Sequence, residues 1–259
     1  MPDPTKRFSN RVENYVRYRP RYPAQILETL KTECGLTSES VIADIGSGTG
    51  FLAELFLNNR NTVYAIEPND EMRLAGERLL GEYPAFKSVA ATAEATTLSR
   101  ASIDFVTAGQ AFHWFDRTKC RMEFERILRP AGWVVLVWND RRTHSTSFLS
   151  EYEALLQRYG TDYTKVDHKQ IDSHVLGEFF GFEPARATFP NHQCFDYPGL
   201  EGRLLSSSYV PTEGEPGYRQ MLGDLHQIFK KHEKEGTVTI EYDTLMYYGR
   251  LPDLTRCKT

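Results

Sequence analysis

The sequence has little of what marks secreted, membrane-spanning or metal-binding chains. Its four cysteines lie far apart and form no C-x-x-C pair, which favours reduced thiols over a disulfide framework or a zinc site. The longest purely apolar run, around residues 133–138, is far too short to span a membrane, and the opening residues lack the apolar centre of a signal peptide. We therefore expect a cytoplasmic protein without a metal site.

An excess of one charge is also missing. Lysine and arginine number 31 and aspartate and glutamate 35, so the formal net charge is −4. No basic block stands out that could follow a nucleic acid backbone. The expected partner is therefore a small molecule rather than a nucleic acid or a membrane, and the composition leaves the oligomeric state open.

The length and the hydrophobic pattern predict the fold. With 259 residues, 40% of them hydrophobic, the chain can bury one large core, and we predict a single domain over residues 1–259. Helical and strand-like segments alternate from residue 24 to residue 138, which is typical of a parallel sheet with helices on both faces. Five strands are predicted there, in SVIADIG, NTVYAIEP, FKSVAAT, SIDFVTAGQA and GWVVLVWND. Two later strands, in EPARATFPNHQCFDY and TVTIEYDTLMYYGRL, are expected to add an antiparallel edge. The prediction is a doubly wound α/β fold with a mostly parallel, seven-stranded sheet.

Three glycines lie between the first predicted strand and the following helix, in VIADIGSGTGFLAELF. Gly46, Gly48 and Gly50 form a G-x-G-x-G pattern. Glycine is a poor residue inside either element, so the three indicate a turn whose backbone approaches a ligand closely. A dinucleotide fingerprint would need its third glycine at position 51, which is Phe51. The turn therefore does not require a pyrophosphate.

An acidic residue ends the second predicted strand. Glu67 lies about 20 residues beyond Gly46, the separation at which a carboxylate can accept hydrogen bonds from ribose hydroxyls. A glutamate at this place alone would favour a solvated strand end. Together with the glycine turn, Glu67 favours a nucleoside ligand.

Five segments of the sequence resemble motifs of a known family: VIADIGSGTG, AIEPN, ATAEATTL, SIDFVTAGQAFHWF and LRPAGWVVLVW. In this order they resemble the successive motifs of class I S-adenosylmethionine-dependent methyltransferases. The segment FSNRVENYVRYRPRYP, residues 8–23, is similar to the N-terminal part of the trans-aconitate methyltransferase-like group, which acts on small molecules. The resemblance is strong over residues 8–138. It implies an N-terminal lid and helix over residues 1–35, a cofactor core over 36–139 and variable substrate-side elements over 140–259.

The resemblance implies that S-adenosylmethionine is the cofactor and assigns residues to it. The implied cofactor-binding residues are Asp44, Gly46, Ser47, Gly48, Gly50, Glu67, Pro68, Ala93, Glu94 and Gln110. Asp44, the turn and Gln110 would surround the methionine end, Glu67 would bind the ribose, and Ala93 and Glu94 would flank the adenine. Asp44 has an equally open alternative, in which it anchors the turn through local backbone contacts.

The acceptor side is less determined. Transfer of an activated methyl group mainly needs alignment, and a base is needed only for a neutral acceptor such as a hydroxyl or an amine. His113 is the candidate base, with packing of the following helix as the alternative. Tyr15 or Tyr18 could cover the cofactor and Arg19 could bind a carboxylate, or the whole segment could be a lid that binds nothing. Arg141 and Tyr209 are further candidate substrate contacts.

The leading hypothesis is methyl transfer to an oxygen of a small molecule, either a carboxylate or a hydroxyl. An acid similar to aconitate is the leading guess. A NAD-dependent oxidoreductase shares the strand, turn and acidic residue, but Phe51 and the lack of an evident hydride-transfer centre disfavour it. A regulatory protein that binds the cofactor without transferring the methyl group is the third hypothesis.

Overall fold

A seven-stranded sheet organises the structure, a computed structural model that describes residues 12–161 and 172–252. The strands are β1 (Val41–Ile45), β2 (Thr62–Ile66), β3 (Phe86–Val89), β4 (Ile103–Gly109), β5 (Leu128–Arg141), β6 (Ala185–Phe195) and β7 (Val238–Gly249). Their spatial order is β3-β2-β1-β4-β5-β7-β6. Only β7 runs antiparallel to its neighbours β5 and β6. The predicted doubly wound, mostly parallel sheet with an antiparallel C-terminal edge is confirmed.

Helices connect the strands and several begin at a side-chain cap. The helices are α1 (Val12–Tyr18), α2 (Gln25–Cys34), α3 (Phe51–Asn58), α4 (Asp70–Leu80), α5 (Arg117–Ile127), α6 (Ser147–Tyr159), α7 (Ser173–Phe180), α8 (Tyr197–Leu205) and α9 (Tyr218–His232). A residue just before each of α4 to α8 accepts a backbone N–H of the first turn with its side-chain oxygen; these residues are Asn69, Asp116, Thr146, Asp172 and Asp196. Each such cap satisfies a donor that the helix itself leaves open. Within the described residues, no helix is long and apolar enough to cross a membrane.

Alternate residues of β5 enter two different cores. Val134, Leu136 and Trp138 pack on one face of the sheet, against helices that include α5 and α7. Val135 and Val137 pack on the other face, against α2 and α3. This alternation follows from the two-residue period of a strand, and it explains why β5 reads as a continuous apolar run. A third core joins α6, α8 and α9 to the antiparallel edge.

The N-terminal segment forms a strap across the carboxyl ends of the parallel strands. The prolines predict an extended or turn conformation for residues 15–23, but the structure keeps helix α1 through Tyr18 and leaves only the following residues non-helical. The break falls there because the residue before Pro20 avoids the helical conformation. We call residues 15–22 the strap. The side chains of Asn191 and Gln193 donate to carbonyls of the strap, at 2.8 Å to Arg21 and 3.1 Å to Tyr18.

Candidate active site

A cavity of about 420 Å³ lies beneath the strap, where the parallel strands end. Its wall has two halves, which follow from the strand order. The glycine-loop half is built at the ends of β1, β2 and β4. The arginine half is built at the end of β5 and from α8, β7 and the strap. The residues of the arginine half are Arg19, Arg141, Arg203, Tyr209 and Tyr242.

The glycine turn forms the floor of the first half. Gly46 and Gly48 line the cavity with φ angles of +65° and +57°, a region that glycine occupies without steric cost. A Cβ atom on Gly46 would lie 2.7 Å from the Cβ atom of Ala111. Gly50 does not line this cavity, contrary to the prediction. It caps α3 with a φ of +86° and packs directly against Leu80, so the third glycine serves helix packing.

Glu67 is a buried carboxylate held by the backbone. It is 8% exposed, and its two oxygens accept the N–H groups of Gly48 and Asn69, both at 2.8 Å. Burial raises the pKa of Glu67, and the two N–H groups oppose that rise. A carboxylate oxygen can accept more than one hydrogen bond. Glu67 therefore keeps acceptor capacity on the side that lines the cavity.

Asp44 presents an unused acceptor in the cavity wall. It is 1% exposed, and Thr107 donates a 3.0 Å hydrogen bond to Oδ1. Among the described residues, Oδ2 is buried without a hydrogen-bond partner of normal geometry, although the backbone of Ala53 lies close enough to the carboxylate to lower its pKa. Burial raises the pKa of Asp44 to about 7. A buried orphan acceptor is costly unless a ligand completes it.

The remaining predicted residues of this half also line the cavity. They are Ser47, Pro68, Ala93, Glu94, Gln110 and His113. Gln110 has a φ of +57° and donates from Nε2 to the carbonyl of Asn139. His113 lies in a short 3-10 helix, Phe112–Trp114, with its ring 4.7 Å from that of Trp114. The structure thus brings His113 to the cavity wall, a position that fits both its predicted base function and its packing against the following residues.

The arginine half holds three guanidinium groups, and the carboxylate of Asp140 lines the cavity beside Arg141. Arg141 forms a buried ion pair with Glu153 on α6. Arg203 is 5% exposed, and its Nε donates to the Tyr242 hydroxyl at 3.2 Å. Arg19 donates to the carbonyl of Ser206 at 2.9 Å. In residues 12–161 and 172–252, no carboxylate pairs with Arg19 or Arg203.

A second predicted residue, after Gly50, lies outside the cavity, and several residues of the cavity wall were not predicted. Tyr18 does not line the cavity, because the last turn of α1 directs its ring against Gly202 of α8. Tyr15, one turn earlier, lines the cavity instead. Arg203 and Tyr242 were missed because their segments show only helical and strand periodicity. An arginine next to two leucines in the helical stretch YPGLEGRLL, whose other charged residue is Glu201, is the one signal that could have identified Arg203.

The predicted thiols are consistent with the structure where it describes them. Cys34, Cys120 and Cys194 are free, and Cys257 lies outside the described residues. Burial raises the pKa of the Cys34 and Cys120 thiols to about 12, so neither is a reactive thiolate.

The strand order, the glycine turn after β1 and the acidic residue after β2 together define the class I methyltransferase fold. Comparison with known proteins agrees. Residues 43–136 match a family described as a methyltransferase domain. The chain is 26% identical to an uncharacterized methyltransferase-like protein of Schizosaccharomyces pombe, over 93% of this chain and 94% of that protein.

Two further comparisons are with a protein of another organism and with a solved structure. An uncharacterized methyltransferase of Mycobacterium tuberculosis is 34% identical over 134 residues, which is 52% of each chain. The structure of a proposed type II methyltransferase from Anaeromyxobacter dehalogenans superposes with a TM-score of 0.66 at 21% identity, covering 90% of this chain and 98% of that one. This last likeness concerns the fold alone.

The protein is an S-adenosylmethionine-dependent methyltransferase. Its cofactor is S-adenosylmethionine, and the glycine-loop half fits that molecule. The orphan oxygen of Asp44 and the spare capacity of Glu67 offer acceptors for an ammonium group and for hydroxyls, while the glycine turn leaves room that any Cβ atom would fill. The two alternatives, an oxidoreductase and a cofactor-binding protein without activity, are set aside.

Proposed function

We propose that the protein methylates an oxygen of a small organic anion, with a carboxylate as the leading acceptor. The observation that carries this proposal is the pair of guanidinium groups, Arg19 and Arg203, in the cavity wall without an acidic partner among the described residues. Arginine stays protonated at any physiological pH. The cavity wall also includes the carboxylates of Asp44, Glu67, Glu94 and Asp140, but among the described residues none of them forms an ion pair with Arg19 or Arg203, so these two charges are left without a direct counter-ion.

The cost of that charge favours an anionic ligand. Moving a single ion out of water costs several kcal/mol in real proteins unless a counter-ion and hydrogen bonds compensate. Arg141 has its compensation in Glu153. Among the described residues, Arg203 has hydroxyl partners alone, those of Tyr242, Ser206 and Ser207, and the buried Nε of Arg19 has no partner there. A carboxylate would supply both the charge and the paired acceptor oxygens that guanidinium groups bind best.

The cofactor assignment within this proposal uses the glycine-loop half. Asp44 and Gln110 would hold the methionine end, with Gly46, Ser47 and Gly48 beneath it and Glu67 on the ribose. Pro68, Ala93 and Glu94 would flank the adenine. The cofactor supplies a methyl group already activated on a positively charged sulfur.

The size and cover of the cavity favour a small acceptor. Its volume of about 420 Å³ falls within the range of roughly 300–1,000 Å³ that is usual for small-molecule sites. The strap covers it with Tyr15, Arg19, Pro20 and Tyr22. The similarity of residues 8–23 to the trans-aconitate methyltransferase-like group supports the same class, with an acid resembling aconitate as the first candidate.

The chemistry asks little of this chain beyond alignment. Holding two reactants in the right geometry can supply roughly 7–11 kcal/mol of the barrier. An ionised carboxylate has no proton to lose, so transfer to it needs no base. The guanidinium groups would orient the acid, and the strap would exclude water from the cavity. His113 would be required only if the acceptor were a hydroxyl.

The test is a transfer assay with isotopically labelled methyl donor, in which small di- and tricarboxylic acids compete with phenols, amines and the acids' neutral amides. We expect turnover with acids only. Arg203→Met should lower kcat/KM for the accepted acid at least about 30-fold, because losing one partner of a buried hydrogen-bonded charge pair costs about 2–5 kcal/mol. Affinity for S-adenosylhomocysteine should change less than about twofold.

Arg142→Met is the matched control. Arg142 is exposed, pairs with Asp243 at 2.7 Å and lies outside the cavity, so its loss should leave kcat/KM unchanged. Equal turnover of neutral acceptors by the unmodified protein, or an unaltered kcat/KM in Arg203→Met, would contradict the proposal.

A further inference from the structure

A chain of three hydrogen bonds connects the arginine half of the cavity to the strap. Nε of Arg203 donates to the Tyr242 hydroxyl at 3.2 Å. The Tyr242 hydroxyl donates to Oε1 of Gln193 at 3.0 Å, and Nε2 of Gln193 donates to the carbonyl of Tyr18 at 3.1 Å. This hydrogen-bond chain runs from α8 across β7 and β6 to the end of α1.

The guanidinium group of Arg203 fixes the donor and acceptor of every hydrogen bond in this chain. A guanidinium group has donors and no acceptor. The Tyr242 oxygen must therefore accept from Arg203, which leaves its hydrogen for the Gln193 carbonyl oxygen. The Gln193 amide nitrogen then has to face the Tyr18 carbonyl. Each side chain in the hydrogen-bond chain can make its hydrogen bonds in only one orientation. The position of Arg203 and the position of the strap therefore depend on each other.

The strap also carries the second guanidinium group. Burial lowers the pKa of Arg19 most, and the positive charge of Arg203 lowers that pKa next, so the two cations are close enough to repel each other. Arg19 lies between Tyr15 and Tyr22, which line the same cavity. An anion bound to both groups would replace this repulsion with attraction and hold the strap against α8.

We propose that Gln193 and Tyr242 are positioning residues that couple acceptor binding to cofactor binding. This inference rests on the proposed function, because it takes Arg19 and Arg203 as the site of the acceptor's anionic group. Binding of that group draws the strap onto α8, and the hydrogen-bond chain keeps Arg203 aligned with the strap. The covered cavity then binds the cofactor more tightly. By linkage, cofactor binding tightens the acceptor by the same factor.

The experiment measures the coupling directly with succinate as the probe anion. The affinity for S-adenosylhomocysteine is determined by calorimetry with saturating succinate and with sodium chloride of equal ionic strength. In the unmodified protein succinate should tighten that affinity at least about fivefold, within the usual range of allosteric coupling. In Tyr242→Phe and in Gln193→Met the factor should fall below about twofold.

Two comparisons separate positioning from a merely structural function. Tyr242→Phe keeps the ring and Gln193→Met keeps the length, so both should bind S-adenosylhomocysteine alone within about threefold of the unmodified protein. His192→Ala is the matched control, because His192 is exposed on the opposite face of the same strand. It should keep the full coupling factor.

The outcomes distinguish this inference from the proposed function. Succinate that binds the unmodified protein without changing its affinity for S-adenosylhomocysteine would overturn the coupling alone. Full coupling retained in both Tyr242→Phe and Gln193→Met would overturn it as well. Succinate that fails to bind the unmodified protein, or binds Arg203→Met equally well, would instead overturn the anionic acceptor site.

Discussion

The two halves of the cavity are built by different means. The glycine-loop half uses backbone and carboxylates at the ends of neighbouring parallel strands, so that Gly46, Gly48 and Glu67 come together from β1 and the adjacent β2. The arginine half uses long cationic side chains from distant segments, and Arg19 and Arg203 line the same cavity because the strap crosses to the end of α8, where Arg19 donates to the Ser206 carbonyl. The first half is acidic, with Asp44 and Glu67, whereas the second is cationic.

This difference matches two kinds of ligand. A cofactor that stays the same across a family can be held by local, rigid geometry. An acceptor that varies is bound by side chains on elements that can change without disturbing the sheet. The variants below act on one half at a time, and we expect the other half to keep its ligand.

The largest effect should follow from closing the glycine turn. Gly48→Val places a β-branched side chain at a φ of +57°, with its Cβ atom 3.3 Å from the Met72 side chain. Strain of roughly 1–3 kcal/mol would displace the N–H that binds Glu67, while the side chain enters the cofactor space. We expect the affinity for S-adenosylhomocysteine in a calorimetric titration to fall more than about 100-fold.

The arginine half should keep succinate binding in Gly48→Val, which shows that the fold is intact. Gly35→Val is the matched control for backbone strain, since Gly35 has a φ of +71° with open space around it and lies away from the cavity. Unchanged cofactor affinity in Gly48→Val would contradict the assignment of the turn.

A smaller effect is expected from neutralising Glu67, the proposed ribose acceptor. Glu67→Gln keeps the shape but turns one of the two oxygens that accept the Gly48 and Asn69 N–H groups into a donor. A hydrogen bond to a charged group contributes about 1.5–3 kcal/mol, so affinity for S-adenosylhomocysteine should fall about 10- to 100-fold. Succinate affinity serves as the internal control. A loss confined to succinate would show that Glu67 belongs to the other ligand.

The pH dependence of cofactor binding tests Asp44. Burial raises its pKa from 3.8 to about 7, so in the free protein Asp44 favours folding fully below pH 3.8, and this contribution is lost as the pH rises through 7. An ammonium group on Asp44 requires the ionised form. The affinity for S-adenosylhomocysteine should therefore be about tenfold weaker at pH 6 than on a plateau above pH 8. Asp44→Asn should flatten the profile, and a flat profile in the unmodified protein would exclude this contact.

The smallest effect is expected at His113, which lies in the cavity wall near the end of β4. If the acceptor is a carboxylate, His113→Gln should lower kcat less than about threefold, because no proton has to be removed. A base for a hydroxyl acceptor contributes about 10²–10⁴-fold. A loss of that size, accompanied by loss of the acidic limb of the pH–rate profile, would change the acceptor from carboxylate to hydroxyl.

The sequence predicts the sheet and the glycine-loop half because both are encoded locally. Apolar runs such as that of β5 need both faces of the sheet covered, and the glycine pattern followed by Glu67 needs only two neighbouring strands. The local signal has limits even there, since Gly50 serves packing against Leu80 instead of the cavity.

The arginine half could be predicted only in part because its members meet through tertiary packing. Arg19, Arg141 and Tyr209 were suggested by position, yet Arg203 and Tyr242 belong to segments with an ordinary helical or strand pattern. The choice between Tyr15 and Tyr18 depends on which face of a single helical turn meets α8. Such a choice follows from contacts with Gly202 that no local pattern specifies.

The most direct test of the division into two halves is a crystal structure with S-adenosylhomocysteine and an accepted acid bound together. We predict that the nucleoside lies against the glycine turn and Glu67, and that a carboxylate of the acid contacts the guanidinium groups of both Arg19 and Arg203. An acid bound away from these two residues, with both guanidinium groups making no contact to it, would contradict the account.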